Sequence, residues 1–239
     1  MLPKELFQIV CEFLESKDLV NVHTTCKYFS TFHFNAEYLK YGGPYWHPEI
    51  INDSKISHCS LNRVKEIHCY KGISLLMDIP NLKTLKIKGT FPELSEELYS
   101  QIKRITIEDY EKSSCNDSIL NKFINLEELI IYFTARVKLD LKLENLEYIS
   151  VGYEPETEYS PYYQCASIKC KSYLEEFVAR GCYVDIDNVK ARKFTLVKCR
   201  GNYFPERRID KIILRDCDYY LNTAASKYVD EHPECVLEK

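Results

Sequence analysis

The sequence predicts an α/β fold in which an N-terminal module of three short helices precedes an irregular repeat solenoid with one concave parallel sheet. Three observations predict it. A six-residue apolar pattern recurs along most of the chain, and helix-spaced apolar residues occupy the first forty or so positions. The composition, 45% hydrophobic and 28% charged, is that of a core-forming protein. With 239 residues, the chain lies between the usual lengths of one domain and two.

The repeated pattern is h-x-x-h-x-h, where h is an apolar residue, and its copies start 18 to 26 residues apart. The copies are Val64-Ile67-Cys69, Leu82-Leu85-Ile87, Ile102-Ile105-Ile107, Leu126-Leu129-Ile131, Leu146-Ile149-Val151, Cys165-Ile168-Cys170, Ala191-Phe194-Leu196 and Ile209-Ile212-Leu214. A repeat of this length favours one short strand per coil, with successive coils stacked in parallel. An ordinary α/β domain with strands of similar length is the alternative.

The last two copies extend to Cys199 and Cys217, which match the final position of L-x-x-L-x-L-x-x-N/C. In three other copies an asparagine precedes the first apolar position: Asn81, Asn125 and Asn145. On these residues the region resembles leucine-rich repeats of the cysteine type. The resemblance implies a short, irregular leucine-rich-repeat solenoid over residues 61–218.

The segments between the copies predict helices and loops. Pro92 to Gln101 contains helix formers, and Asp117 is placed to cap a helix over Ser118 to Phe123. Ser172-x-x-Glu175 has the spacing of a capping box, with Gly181 at the matching C-terminal position. Two further segments are an exposed loop and a closing helix, over Tyr153–Tyr163 and Asn222–Asp230.

The N-terminal residues predict three short helices between Leu2 and about Tyr41. Pro3 suits a first helical position, and Ser16 is placed to cap the second helix. The third helix is expected over about Phe34 to Leu39, before Gly42-Gly43-Pro44.

Within these helices, LPKELFQIVCEFLESKDLVNVHTTCKYFSTF resembles an F-box. The matching residues are Leu2, Pro3, Glu5, Leu6, Ile9, Leu14, Asp18, Leu19, Val22, Cys26, Lys27 and Phe29. The resemblance implies a helical docking module that binds a Skp-type adaptor and, through it, a cullin ubiquitin ligase. It assigns adaptor docking to Leu2, Pro3, Leu6, Ile9 and Leu19. Packing of these residues on the protein's own next domain is the alternative.

These observations divide the chain into four parts. We expect an F-box-like helical module at 1–45, a linker at 46–60, the solenoid at 61–218, and a C-terminal capping helix and tail at 219–239.

Side chains that alternate with the buried apolar residues are expected on the concave face of the sheet. They are Glu66, His68, Tyr70, Thr84, Lys86, Lys88, Arg104, Thr106, Glu108, Glu128, Ile130, Tyr132, Lys193, Thr195, Val197, Lys211, Ile213 and Arg215.

Charge is unevenly distributed, and the segment 169–215 has twelve basic and six acidic residues. The sequence therefore predicts a basic C-terminal face that includes Lys190, Arg192, Lys193, Lys198, Arg200, Arg207, Arg208, Lys211 and Arg215. Tyr203 and Phe204 lie among these residues. Basic residues interleaved with aromatics suit RNA, and they equally suit an acidic or phosphorylated peptide. A solvated charged surface is the alternative.

Several classes of protein are not indicated. Neither glycine-rich phosphate-binding motif occurs, and no apolar run has the length of a membrane span. The start MLPKELFQ lacks the layout of a signal peptide, so we expect a cytoplasmic protein, or a nuclear one, whose eleven cysteines are mostly reduced core residues. A zinc site at His58, Cys59, His68 and Cys69 is a weak alternative, because its spacing fits no common pattern.

The sequence thus favours a non-enzymatic binding protein without a metal, a cofactor or a small-molecule substrate. The first hypothesis is a substrate adaptor of a cullin ubiquitin ligase. The second is a repurposed dormancy or inhibitory factor that binds a ribosome or another ribonucleoprotein through the basic face. The third, an enzyme built on a cysteine–histidine pair, has no supporting local motif.

Overall fold

The computed structural model describes residues 38–41, 61, 64–70, 74–75, 79–110, 115–133, 136–153, 165–186, 188–201, 204–205 and 207–239. The chain divides into two units, Met1–Ile102 and Lys103–Lys239. Each unit contains parallel strands that follow one another as the coils of a solenoid.

The first unit has a parallel sheet in the order β1-β2-β4 and a small parallel pair, β3-β5. Its elements are β1 (Tyr38–Tyr41), β2 (Glu66–Tyr70), β3 (Ser74–Leu75), β4 (Thr84–Lys88), β5 (Glu93–Leu94) and α1 (Glu96–Gln101). Alternate residues of β2 and β4 are buried, as expected for strands with one face on a core. The amide of Gln101 donates to the carbonyls of Ile79 (2.6 Å) and Leu82 (3.0 Å), which attaches the end of α1 to the turn before β4.

In the second unit, a main sheet in the order β6-β7-β9-β11-β13-β14-β15 and a second sheet in the order β12-β10-β8 are both parallel. The elements are β6 (Arg104–Glu108), α2 (Asp117–Leu120), β7 (Glu128–Tyr132), β8 (Arg136–Leu141), β9 (Tyr148–Gly152), β10 (Cys165–Cys170), β11 (Tyr173–Arg180), β12 (Tyr183–Asp185), β13 (Lys190–Val197), β14 (Lys211–Arg215), α3 (Tyr219–Glu231) and β15 (Val236–Glu238).

The repeated apolar pattern supplies the core of this unit. In the copies at Leu126, Leu146 and Ile209, every apolar position is buried. The core continues into an aromatic row of Phe177, Phe194, Phe204 and Tyr228, whose successive ring centroids lie 5.7, 5.9 and 6.2 Å apart. Helix α3 closes the row, with Asp218 accepting a hydrogen bond from the backbone of Leu221 at 2.9 Å.

One predicted copy belongs to a different sheet. Cys165-Ile168-Cys170 forms β10 of the second sheet, and its place in the main sheet is taken by β11. In β11 the same pattern is present as buried Leu174, Phe177 and Ala179.

The capping-box prediction at Ser172-x-x-Glu175 is therefore wrong, because these residues begin a strand and not a helix. The Ser172 hydroxyl donates to the carbonyl of Leu143 at 2.5 Å, and Glu175 pairs with Arg192. Gly181 has a left-handed φ of 64°, but the turn it forms follows a strand.

Other predicted elements are shorter, shifted or replaced. The helix expected from Pro92 begins only at Glu96, and in α2 the capping side chain is that of Asn116, not Asp117. The closing helix is present and longer than predicted, and β15 follows it as an additional strand.

At the N-terminal end, residues 38–41 form β1, so the third helix, expected as far as about Leu39, is wrong at Tyr38 and Leu39. The sequence YLKY there is rich in strand-forming residues and pairs in parallel with β2. The remainder of the predicted helical module lies outside the described residues.

Candidate binding surface

The solvent-facing side of the parallel sheets, here called the outer face, carries the alternating side chains that the sequence predicts. In the first unit, Glu66, His68 and Tyr70 lie in register with Thr84, Lys86 and Lys88, and all six are at least partly exposed. His68 Nε2 is 2.6 Å from Glu66 Oε1. The predicted alternation is confirmed here.

In the second unit, two residues in the middle of the outer face are nearly inaccessible to solvent. Ser150 and Val178 are adjacent in register and only 3% and 2% exposed. A guanidinium nitrogen of Arg180 lies 3.3 Å from the Ser150 hydroxyl, so the arginine extends across the face and covers the serine. Glu108, which we expected to face outward, is buried at 9% exposure.

Charged outward residues in the first halves of four main-sheet strands form a charge-balanced row. Arg104 of β6 pairs with Glu128 of β7 at 2.5 Å, and Lys193 of β13 pairs with Glu176 of β11 at 3.0 Å. The Thr195 hydroxyl also donates to Glu176, at 2.8 Å. Ion pairs within this row neutralise much of its charge, so the row is a weak electrostatic binding site.

Four of the nine predicted basic residues have carboxylate partners. The pairs are Arg192–Glu175 (3.3 Å), Lys193–Glu176 (3.0 Å), Arg208–Asp210 (3.2 Å) and Lys211–Glu238 (2.5 Å). Of the others, Lys190 is the first residue of β13 and is partly buried. Arg207 is exposed ahead of β14, and its carbonyl accepts a hydrogen bond from the Tyr228 hydroxyl.

Of the remaining three, Arg215 is the last residue of β14 and Lys198 directly follows β13, while Arg200 lies just past the same corner and bridges to Tyr183 of β12. Parallel strands place their carboxyl ends along one border of the sheet, which brings Arg180 of β11 to the same border. We call Arg180, Lys198, Arg200 and Arg215 the carboxyl-end basic edge. Backbone hydrogen bonds join the strand ends at this edge: Lys198 N donates to Arg215 O at 2.7 Å, and Gly181 N, next to Arg180, donates to Val197 O at 2.9 Å. Within the described chain, no carboxylate lies within 4.0 Å of the side-chain nitrogens of Arg180, Lys198 or Arg215.

Two exposed tyrosines adjoin this edge. Tyr219 and Tyr220 open α3 and are 77% and 68% exposed, with ring centroids 5.9 Å apart at 75°. The backbone N–H of Asp218 donates to Cys199 O at 3.1 Å, which holds the start of the helix beside the corner that bears Lys198. The edge therefore combines positive charge with accessible aromatic surface.

The aromatic residue that sequence reasoning placed in the basic face is not available for binding. Phe204 is 8% exposed and packs between Phe194 and Tyr228. Tyr203 lies outside the described residues. The exposed aromatic pair is Tyr219 and Tyr220, which directly follow the helix cap at Asp218. The one sequence signal for this pair is that the amphipathic pattern of α3 does not require two consecutive tyrosines there.

The other predicted sites are placed as follows. The docking residues Leu2, Pro3, Leu6, Ile9 and Leu19 lie outside the described residues, as do His58 and Cys59. His68 and Cys69 are consecutive in β2 and therefore point to opposite faces of the strand. In the described part of the chain, no group of three or more histidine, cysteine or acidic side chains is arranged to hold a metal ion.

Comparisons with known proteins add no relative. No family model matches the chain, and searches of curated proteins and of solved structures found no match. Among the helices that the structure describes, none has the length and apolar character needed to cross a bilayer.

Proposed function

We propose that the chain is a non-enzymatic binding protein that acts as a substrate adaptor of a cullin ubiquitin ligase. The observation that carries the proposal is the parallel solenoid, whose register aligns one strand per coil on a continuous outer face. Arrays of this kind provide extended surfaces for macromolecular partners, since each coil contributes side chains to the same face. The F-box-like residues at the N-terminus supply the second half of the function, a docking segment for a Skp-type adaptor.

In this proposal the two parts act separately. Leu2, Pro3, Leu6, Ile9 and Leu19 form an apolar anchor that binds a groove of the adaptor. The outer face and its borders hold the target, and the chain transfers no group itself. Specificity for a target comes from the uneven charge of the face: the balanced row is nearly neutral, whereas the carboxyl-end basic edge attracts negative charge.

Leu6→Asp should abolish capture of a Skp-type adaptor while the solenoid stays folded. A carboxylate in an apolar anchor must lose its hydration on binding, and that cost exceeds what the interface returns. The measurement is co-purification of tagged full-length protein with adaptor and cullin, together with far-UV circular dichroism.

Gln8→Asp is the matched control, because it adds the same charge to the same predicted helix outside the apolar stripe. It should retain the adaptor. Wild-type recovery of the adaptor with Leu6→Asp would overturn the docking assignment, and so would equal loss with both variants.

A second function, binding to a ribosome or another ribonucleoprotein, is favoured by one specific observation. Three cations of the carboxyl-end basic edge, Arg180, Lys198 and Arg215, have no carboxylate within 4.0 Å among the described residues, and the edge adjoins the exposed pair Tyr219 and Tyr220. Cations contact the phosphate backbone, while exposed aromatic rings stack on unpaired bases. A factor that inhibits such an assembly or keeps it dormant needs only this kind of contact.

The double variant Lys198→Ala/Arg215→Ala should weaken binding to a single-stranded RNA oligonucleotide and make it less dependent on salt. Each lost phosphate contact lowers the slope of log K against log salt by about 0.7, so the pair should reduce it by about 1.4. Fluorescence anisotropy between 50 and 200 mM salt would measure both effects.

Arg192→Ala/Arg208→Ala removes the same charge from residues that are already paired with Glu175 and Asp210. We expect it to change the slope much less. Equal effects of the two double variants would show that binding follows net charge and that the carboxyl-end basic edge has no special role.

A further inference from the structure

Three successive coils of the second unit place a cysteine at the same corner. In each coil, a residue with left-handed backbone follows a strand of the main sheet, with φ values of 64°, 52° and 53° for Gly181, Lys198 and Asp216. The next residue is a cysteine each time: Cys182, Cys199 and Cys217. The corner therefore carries a row of thiols that runs from coil to coil.

Cys182 and Cys199 are direct neighbours in this row. Arg200 N donates to Cys182 O at 3.0 Å, and Tyr183 and Arg200 form a parallel bridge. This fixes the register on the C-terminal side of both cysteines. Adjacent parallel segments lie about 4.8 Å apart, which is within the range of about 4.4–6.8 Å that disulfides span between Cα atoms. Both side chains are 1% exposed, and the Cys199 thiol donates to the carbonyl of Val197 at 3.3 Å.

The two thiols are electrostatically unequal. The neighbouring Cys182 thiol lowers the pKa of Cys199, and backbone hydrogen bonds act in the same direction, whereas burial opposes them. The same contact, together with burial, raises the pKa of Cys182. Burial also raises the pKa of Cys217 to about 11. Of the two sulfurs, that of Cys199 therefore loses its proton more readily than that of Cys182.

We propose that Cys182 and Cys199 are a redox-active pair that a hydroperoxide converts to a reversible disulfide. The Cys199 thiolate attacks an oxygen of hydrogen peroxide, the O–O bond breaks, and one water leaves after protonation. The resulting sulfenic acid is then attacked by Cys182, which loses its proton as the S–O bond breaks and a second water leaves. The two cysteines lose two electrons, and the peroxide gains them.

This disulfide joins the coils of β11 and β13 through a closed ring of 18 residues, Cys182 to Cys199. A ring of that length removes conformations from the unfolded chain, so the oxidised protein should resist unfolding more than the reduced one. Cys199 also lies between Lys198 and Arg200, so the link fixes the corner that bears two members of the carboxyl-end basic edge.

The test is peptide mapping of the full-length protein. Reduced protein is treated with hydrogen peroxide, free thiols are alkylated, and the protein is digested with trypsin without reduction. Because Lys190, Arg192, Lys193 and Lys198 separate the two cysteines, the link appears as a cross-linked peptide pair. We expect that pair to appear with peroxide and to disappear with dithiothreitol. Recovery of both cysteines as alkylated thiols, or linkage of either one to Cys165 or Cys217 instead, would overturn the proposal.

Variants and stability provide the controls. Cys182→Ser should abolish the cross-linked pair and leave Cys199 as a sulfenic or higher acid, whereas Cys115→Ser, a buried thiol on another coil, should leave the pair intact. If Cys182→Ser does not fold, the urea unfolding midpoint of the wild-type protein provides the test. That midpoint should rise after peroxide and fall again with dithiothreitol, and an unchanged midpoint in protein that carries the cross-link would contradict the stabilising effect.

Discussion

Gly152→Ala should destabilise the second unit by about 3–5 kcal/mol, a large part of the total stability of a typical domain. Gly152 ends β9 between Tyr132 and Arg180, and its φ is 139°. An added Cβ would lie 2.1 Å from the carbonyl oxygen of Arg180 and 2.8 Å from its nitrogen. Both atoms are backbone, so relief requires β9 and β11 to separate. Backbone strain of about 1–3 kcal/mol adds to an overpacking cost of similar size.

Equilibrium urea unfolding followed by circular dichroism would measure this effect. Gly201→Ala is the matched control, because Gly201 has no positive φ and its added Cβ would meet Leu221 Cδ1 at 3.1 Å and Val184 O at 3.2 Å. It should cost about 1 kcal/mol or less. A midpoint for Gly152→Ala equal to that of the control would show that the two strands do not approach so closely.

The apolar pattern predicted the strands of the main sheet because it reports burial directly. In the four copies between 82 and 151 the apolar residues are buried, and the intervening residues are at least partly exposed except Ser150, which Arg180 covers. Alternation of this kind is dictated by strand geometry, and a parallel neighbour does not change it. Local sequence is therefore sufficient for these coils.

The second sheet was missed although its signal is present. In β8, the sequence RVKLDL alternates strictly, with Val137, Leu139 and Leu141 buried. The repeat pattern h-x-x-h-x-h predicts one strand per coil. A second strand in the same coil, such as β8, therefore falls outside that pattern. At β11 the apparent capping box led to the prediction of a helix although the apolar pattern of a strand is also present. Sequence alone does not show that the Ser172 hydroxyl donates to the distant carbonyl of Leu143.

The sequence predicted that the candidate site would be rich in basic residues, but it did not predict which of their charges are available for binding. The sequence places nine basic residues in the C-terminal coils, but ion pairs such as Arg208–Asp210 and register pairs such as Lys193–Glu176 decide which charges remain available. Register depends on tertiary contacts and is not read from residue order. For the same reason Arg180, which we did not assign to the face, belongs to its carboxyl-end border.

Phe194→Ala should cost about 3–5 kcal/mol and release the C-terminal helix from the sheet. Phe194 is fully buried in β13 and occupies the middle of the aromatic row, 5.7 Å from Phe177 and 5.9 Å from Phe204. Phe204 continues the row to Tyr228 of α3 at 6.2 Å, and the Tyr228 hydroxyl accepts from Ile209 N at 2.8 Å. A cavity at Phe194 therefore removes the packing that joins the last coils to the helix, and a close-packed interior relaxes only partially around such a cavity.

Urea unfolding measures the lost stability, and hydrogen exchange at the amides of α3 shows where it is lost. Tyr219→Ala is the control: it removes an aromatic ring from the same end of the unit, but that ring is 77% exposed, so the change should stay within about 0.5 kcal/mol. With Phe194→Ala, exchange in α3 should accelerate more than exchange in β7, because the helix depends on the aromatic row and β7 has its own buried residues Leu129 and Ile131. Equal acceleration in both elements would mean that the unit unfolds as one and that the row does not anchor the helix.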